Sequence, residues 1–215
     1  MYTRWVGATG RYQGKCEQGH CALTGDQATS KHEGEILTLL KYVIGHGRGD
    51  VKVPSGGRQF RLDMVFDLPS GLVLVAEYDG AYWHGGHSQE ERQRNEERDY
   101  YKARDVEAAW GDRGCAVVRI REDPLEPLHH HDVQVPARSD PATCAKAVLI
   151  HLVHALYPHF PGSRDDEERL VSFLRSSASL LASGDLRCSE CRKAASYLLP
   201  GQAFLPRPGR SAQRG

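Results

Sequence analysis

The chain has 215 residues, 40% of them apolar and 26% charged, the make-up of a soluble globular protein with one large domain or one domain and an appendage. Lysine plus arginine and aspartate plus glutamate both number 28, which gives no case for a tight, nonspecific DNA binder but leaves room for an acidic centre inside a basic rim. No apolar run approaches the ~20 residues of a membrane span, and the start MYTRWVGATGRYQG lacks a secretory hydrophobic region, so no membrane partner and a cytoplasmic location are expected.

Residues 1–29 are rich in Gly, Thr and Gln and read as an irregular segment. The six cysteines, without an export signal, read as reduced thiols rather than a disulfide framework. Cys16, His20 and Cys21 here, with Cys188 and Cys191 near the end, could combine into one tetrahedral zinc site. Free thiols are the alternative. Cys115 and Cys144 read as small core residues.

Ser30 and Glu33 have the spacing of a capping box, and Ile36, Leu37, Leu39, Leu40, Val43 and Ile44 give the helix that follows a broad apolar face. Gly45 to Gly49 end it. Residues 58–84, RQFRLDMVFDLPSGLVLVAEYDGAYWH, read as a hairpin. Residues 61–66 alternate, residues 72–76 are a short apolar run, and Asp67-Leu68-Pro69-Ser70-Gly71 supplies the turn. A turn centred on Ser70 sets Asp63 opposite Glu77, and Asp79 shares the face of Glu77. Three converging carboxylates repel one another and are costly to desolvate, so a hard cation such as magnesium or manganese is a natural partner. Solvated turn acids are the plainer reading of the same residues.

Residues 88–113 read as a long charged helix capped by Ser88 and Glu91, with Tyr100, Ala103, Val106 and Trp110 as its buried stripe. Residues 115–121 follow as a strand, which a crossover would set parallel to its neighbour. Residues 123–141 read as a loop, and His129 to His131 as a polar part of it rather than a metal site. Helices are expected near 141–157 and 164–183, and the tail 205–215 has the composition of disorder. The expected organisation is an α/β core over 30–125, a helical C-terminal extension over 126–204 and the tail.

Asp63, Glu77-Tyr78-Asp79-Gly80, Tyr82-Trp83-His84, Asn95-Glu96-Glu97-Arg98-Asp99 and the strand from Gly114 to Glu122 together resemble a branch of the PD-(D/E)XK nuclease superfamily. The branch is that of the very-short-patch mismatch-repair endonucleases and their relatives, and the resemblance covers roughly residues 30–125. It implies a restriction-endonuclease-like mixed sheet flanked by helices, magnesium or manganese as cofactor, and double-stranded DNA as partner. Carried over, Glu33 matches the acid of the first helix, Asp63 the central aspartate and Glu77 the second acid. His84 matches the histidine of an aromatic-Trp-His motif, and Asp99 the aspartate of the following helix. Tyr82 and Trp83 take the place of an aromatic wedge beside a mismatched base. The usual E-x-K lysine is absent, since position 79 is Asp79, and Lys102 is its candidate replacement. The relatives also hold a structural zinc whose ligand pattern is not reproduced here.

The expected chemistry is phosphodiester hydrolysis by a metal-dependent endonuclease acting at mismatches or lesions, or in restriction and defence. Asp63, Glu77 and Asp79 would hold the metal. His84, whose imidazole side chain is suited to proton transfer near neutral pH, would transfer protons and be oriented by Asp99. Lys102, Arg98 and Arg104 would hold phosphates, or simply pair with neighbouring helix acids. The competing reading is a non-catalytic, zinc-stabilised nucleic-acid-binding module on the same fold.

Overall fold

A reciprocal cap opens the first helix. Glu33 N–H donates to Ser30 Oγ at 3.2 Å, and Ser30 N–H donates to Glu33 Oε2 at 3.1 Å, which satisfies two amides that the first turn leaves without helical partners. This helix, α1 (Lys31–Ile44), buries all six apolar residues that its periodicity marks. The structure, a computed structural model, describes residues 3–4, 15–16, 30–44, 47–86 and 88–175. Among them no helix is long and apolar enough to cross a membrane.

In the segment expected to be irregular, β1 (Thr3–Arg4) and β2 (Lys15–Cys16) pair antiparallel. The main sheet has five strands: β3 (Gly47–Ser55), β4 (Arg58–Asp67), β5 (Val73–Asp79), β6 (Cys115–Glu122) and β7 (Val133–Val135), side by side in that order. β3, β4 and β5 run antiparallel, whereas β6 and β7 are added in parallel. The hairpin register agrees with a turn centred on Ser70: Met64 pairs Ala76, Val65 pairs Val75 and Phe66 pairs Leu74. The crossover after β5 also delivers β6 parallel to it, as expected.

Two strands were not legible in advance. β3 occupies the stretch read as the end of α1 and the approach to the hairpin. Its sequence GRGDVKVPS is polar and its outer half alternates between half-buried and exposed, so pairing with β4 rather than local preference makes it a strand. β7 has only three residues and lies in the expected loop, held by parallel pairing with Ile120, Arg121 and Glu122.

Helices cover both faces of the sheet. One cluster joins α1, α4 (Pro141–Ala155) and α5 (Arg164–Arg175) to Met64, Phe66, Leu74, Ala76, Val118 and Ile120. The other joins α3 (Gln89–Ala109) to Val65, Val73, Val75 and Val117. This is an α/β architecture with a five-stranded mixed sheet. Burial of β5 and β6 on both faces explains their near-continuous apolar reading. α4 agrees with its expected span. The helix expected over 164–183 is present as α5 up to Arg175, and the rest of that span, the remainder of the extension and the tail lie outside the described residues.

α3 departs from expectation in two respects. It stops at Ala109 and passes into a short 3-10 turn, Gly111–Arg113, where Gly111 takes a φ of +49° that a side chain would resist. Its buried stripe is Asp99, Ala103 and Val106, whereas Tyr100 is exposed. A hydrophobic-periodicity rule passes over an aspartate. Here that aspartate faces buried arginines and takes the inward position.

Candidate active site

Asp63 sits where β4 loses both neighbours. The β3–β4 pairing runs through Gly49–Met64 and Val51–Leu62 but skips Asp50 and Asp63, and the β4–β5 ladder stops at Met64–Ala76. Asp50, opposite the gap, holds a φ of +54°, a conformation that Asp tolerates better than most residues, and its carboxylate accepts from Arg61. Side chains take over from the ladder. Asp63 N–H donates to Glu77 Oε1 at 3.3 Å, and Tyr78 N–H donates to Asp63 Oδ2 at 3.0 Å. Asp63 and Glu77 are thus brought face to face, as the register requires.

Two more expected residues join them. Lys102, on α3, donates from Nζ to Glu77 Oε2 at 2.5 Å. Glu33, whose carboxylate closes the cap of α1, lies close enough to act on Asp63 through its charge. Burial first, then the charges of Glu77 and Glu33, push the Asp63 carboxyl up to about 7, against a smaller opposing pull from Tyr78 N–H and Lys102. Lys102 is the one cation among the described residues that bonds this trio directly, while Arg61, held by Asp50, and Arg119, held by Asp79, reach it through charge alone, and a divalent cation would add the charge that favours an ionised Asp63. Among the described residues, Asp63 Oδ1 receives no hydrogen bond. Asp63 and Glu77 therefore fit a hard, oxygen-preferring ion.

Asp79 does not complete that pair. It lies on the face of Glu77, but its carboxylate receives Arg119 Nε at 2.7 Å and Nη2 at 2.6 Å, and Arg121 Nη1 at 3.0 Å. All three residues are buried. Asp99, buried on α3, lies 3.4 Å from Arg119 Nη2 and 3.8 Å from Arg121 Nη1. Asp79, His84 and Asp99 do offer ligand atoms within 4.8 Å of one another. Two guanidinium groups already balance the two carboxylates, however, and buried ions require such pairing. The expected trio of metal-binding acids is therefore split. Asp63 and Glu77 remain to hold a cation, while Asp79 belongs to a neutralised ion-pair layer.

His84 is held as expected. It ends the four-residue helix α2 (Ala81–His84), and its Nδ1 lies 2.9 Å from Asp99 Oδ2 and 3.5 Å from Asp79 Oδ1. Burial raises the Asp99 carboxyl. The hydrogen bond from His84 and the charges of Arg119, His84 and Arg98 outweigh that and hold it at about 2. An ionised Asp99 can only accept, so Nδ1 carries the proton and Nε2 is the nitrogen left for proton transfer. Asn95 Nδ2 donates to His84 O at 3.3 Å and Arg92 Nε to Gly85 O at 3.1 Å, which ties the α2 turn to α3.

α2 also displays the aromatic pair. Tyr82 is 73% and Trp83 79% exposed, stacked edge to face with centroids 4.9 Å apart. A core role for Trp83 is thereby excluded. Beside the acids an open groove of about 720 Å³ runs between the β3–β4 turn and α3, lined by Arg58, Phe60, Arg98, Tyr101, Lys102 and Arg104 among others. Arg98 and Arg104 have mostly exposed side chains. Arg104 also lies over the Tyr101 ring at 5.0 Å and 3.7 Å from Asp105, so part of its charge is spent locally. The candidate zinc ligands His20, Cys21, Cys188 and Cys191, and the side chain of Cys16, lie outside the described residues.

No protein-family model, curated protein or solved structure matches this chain.

Three contributors to the site were not singled out from sequence. Arg119 and Arg121 alternate with Ile120 in an otherwise apolar strand, and two inward arginines there call for buried acids. Glu122 accepts from Tyr78 Oη at 3.1 Å, Ala81 N at 3.1 Å and Arg138 N at 2.6 Å, fixing the start of α2. Nothing in its local sequence marks that role.

Proposed function

We propose that this chain is a metal-dependent endonuclease with a restriction-endonuclease-like core, acting on double-stranded DNA. The observation that carries the reading is the meeting of Asp63, Glu77 and Lys102. α3 brings a lysine onto the second acid from outside the hairpin, in place of the lysine absent at position 79. On this reading Lys102 would stand in for the motif lysine from another element. Asp63 and Glu77 would hold magnesium or manganese, with Glu33 adding charge nearby. When bound, such an ion supplies charge neutralisation at the phosphate and acidifies water. Lys102 supplies positive charge at the scissile phosphate, and Nε2 of His84, oriented through Nδ1 by Asp99, exchanges a proton with water or with the leaving oxygen.

The groove supports the substrate class. Arg58, Arg98, Lys102 and Arg104 give it a basic floor against the single acid Asp105, which suits a phosphate backbone. Tyr82 and Trp83, both exposed, suit stacking on an unpaired or mismatched base. A purely binding module would use the same groove, but it has no need of an acid whose ionisation is opposed by its neighbours. Nicking of plasmid and mismatched duplexes in magnesium or manganese tests the proposal. Lys102→Ala is expected to lower the rate by ~10²–10³-fold, as loss of one charge-stabilising donor does, and an undiminished rate would remove Lys102 from the mechanism.

A further inference from the structure

Five of the chain's 11 histidines gather away from the acids. His129, His130 and His131 precede β7, and His151 and His154 lie on α4. His131 Nδ1 is 2.9 Å from His151 Nε2. The His130 ring stacks on His131 with centroids 3.9 Å apart and on His129 at 4.0 Å. A shared proton satisfies the His131–His151 pair, and so does a shared cation. Two nitrogens bound to one tetrahedral zinc lie ~3.3 Å apart, given a Zn–N bond of ~2.0–2.1 Å, so a cation needs only a few tenths of an ångström of opening.

Further observations favour the cation. Asp132 is held through Oδ2 by Leu128 N at 2.7 Å and His129 N at 3.1 Å. Its buried Oδ1 and the buried His129 Nδ1 have no hydrogen-bond partner among the described residues, which leaves polar capacity beside the ring cluster unused.

The geometry points to a second metal site, distinct from Asp63 and Glu77, in which His131 Nδ1 and His151 Nε2 hold a borderline-soft divalent ion such as zinc or nickel. Among the described residues no third ligand atom already lies within 4.8 Å of both nitrogens, so a third ligand, for which the exposed His130 stacked on His131 is the candidate, would have to turn in on binding. Imidazoles select such ions over magnesium. The bound ion would tie the β6–β7 connection to α4, which makes it structural rather than catalytic.

The test uses full-length, tag-free protein titrated with nickel and with zinc by calorimetry, beside cobalt absorption to read ligand type. One equivalent that persists in Asp63→Ala is expected, without the charge-transfer absorption of a thiolate–cobalt bond. His131→Ala and His151→Ala should each weaken it by at least the ~10–100-fold that loss of an outer partner causes, whereas His159→Ala should leave it unchanged. His151→Gln, which retains hydrogen-bonding capacity, serves if an alanine variant does not fold by circular dichroism. The proposal is overturned if neither ion binds, if affinity is unchanged in folded His131 and His151 variants, or if all uptake carries a thiolate signature and is lost in Cys188→Ser/Cys191→Ser.

Discussion

Burial first, then the charges of Glu77 and Glu33, opposes ionisation of Asp63, and its carboxyl accordingly keeps its proton up to about 7. The folded pKa is raised above that of the unfolded chain, so the stability it contributes is fully present below about pH 4 and is lost as pH rises through about 7. Metal-free protein is thus expected to weaken across that window. Asp63→Asn should flatten the loss and be more stable than wild type at pH 8 by a few kcal/mol, at ~1.4 kcal/mol for each tenfold change in proton affinity. Magnesium favours the ionised acid, so it should raise the melting temperature of wild type more at pH 8 than at pH 5. Urea melts at both pH values check this, and a pH profile identical in Asp63→Asn would contradict it.

At the scale of elements, the α2 turn is built to display rather than to pack. Three hydrogen bonds fix its ends and flank, from Ala81 N to Glu122, from Asn95 to His84 O and from Arg92 to Gly85 O, while Tyr82 and Trp83 stay in solvent. Trp83→Ala should therefore change stability by no more than ~0.5 kcal/mol. It should weaken binding to mismatched or single-stranded DNA by ~1–3 kcal/mol if it stacks on a base. A melt and a fluorescence binding titration separate the two effects. Sequence rendered this part of the molecule unevenly. The hairpin register, the caps of α1 and α3, the latter with Glu91 N–H donating to Ser88 Oγ, and the Asp63–Glu77 meeting were legible because turn chemistry and a period of two or three to four residues are local. β3, β7 and the inward turn of Asp99 were not, because each depends on a partner distant in the chain. The split of the acids also escaped, since Arg119 and Arg121 claim Asp79 only once β6 lies beside β5.

Over the whole molecule acidic and basic residues are equal in number, yet the groove beside the acids is lined by Arg58, Arg98, Lys102 and Arg104 against the single acid Asp105. DNA affinity should accordingly fall with salt. Replacing Arg58 and Arg104 together by alanine is expected to reduce the slope of log K against log salt by about 2 and to weaken binding evenly across sequences. An unchanged slope would place the phosphate path elsewhere. The central claim, that Asp63 and its neighbours cleave DNA with a divalent ion, is tested most directly by incubating wild type and Asp63→Ala with supercoiled plasmid and mismatched duplex, with magnesium, manganese or chelator. The account predicts nicking that requires the metal and disappears in a folded Asp63→Ala variant. Absence of cleavage by folded wild type across metals and substrates, or cleavage that survives Asp63→Ala, would contradict it.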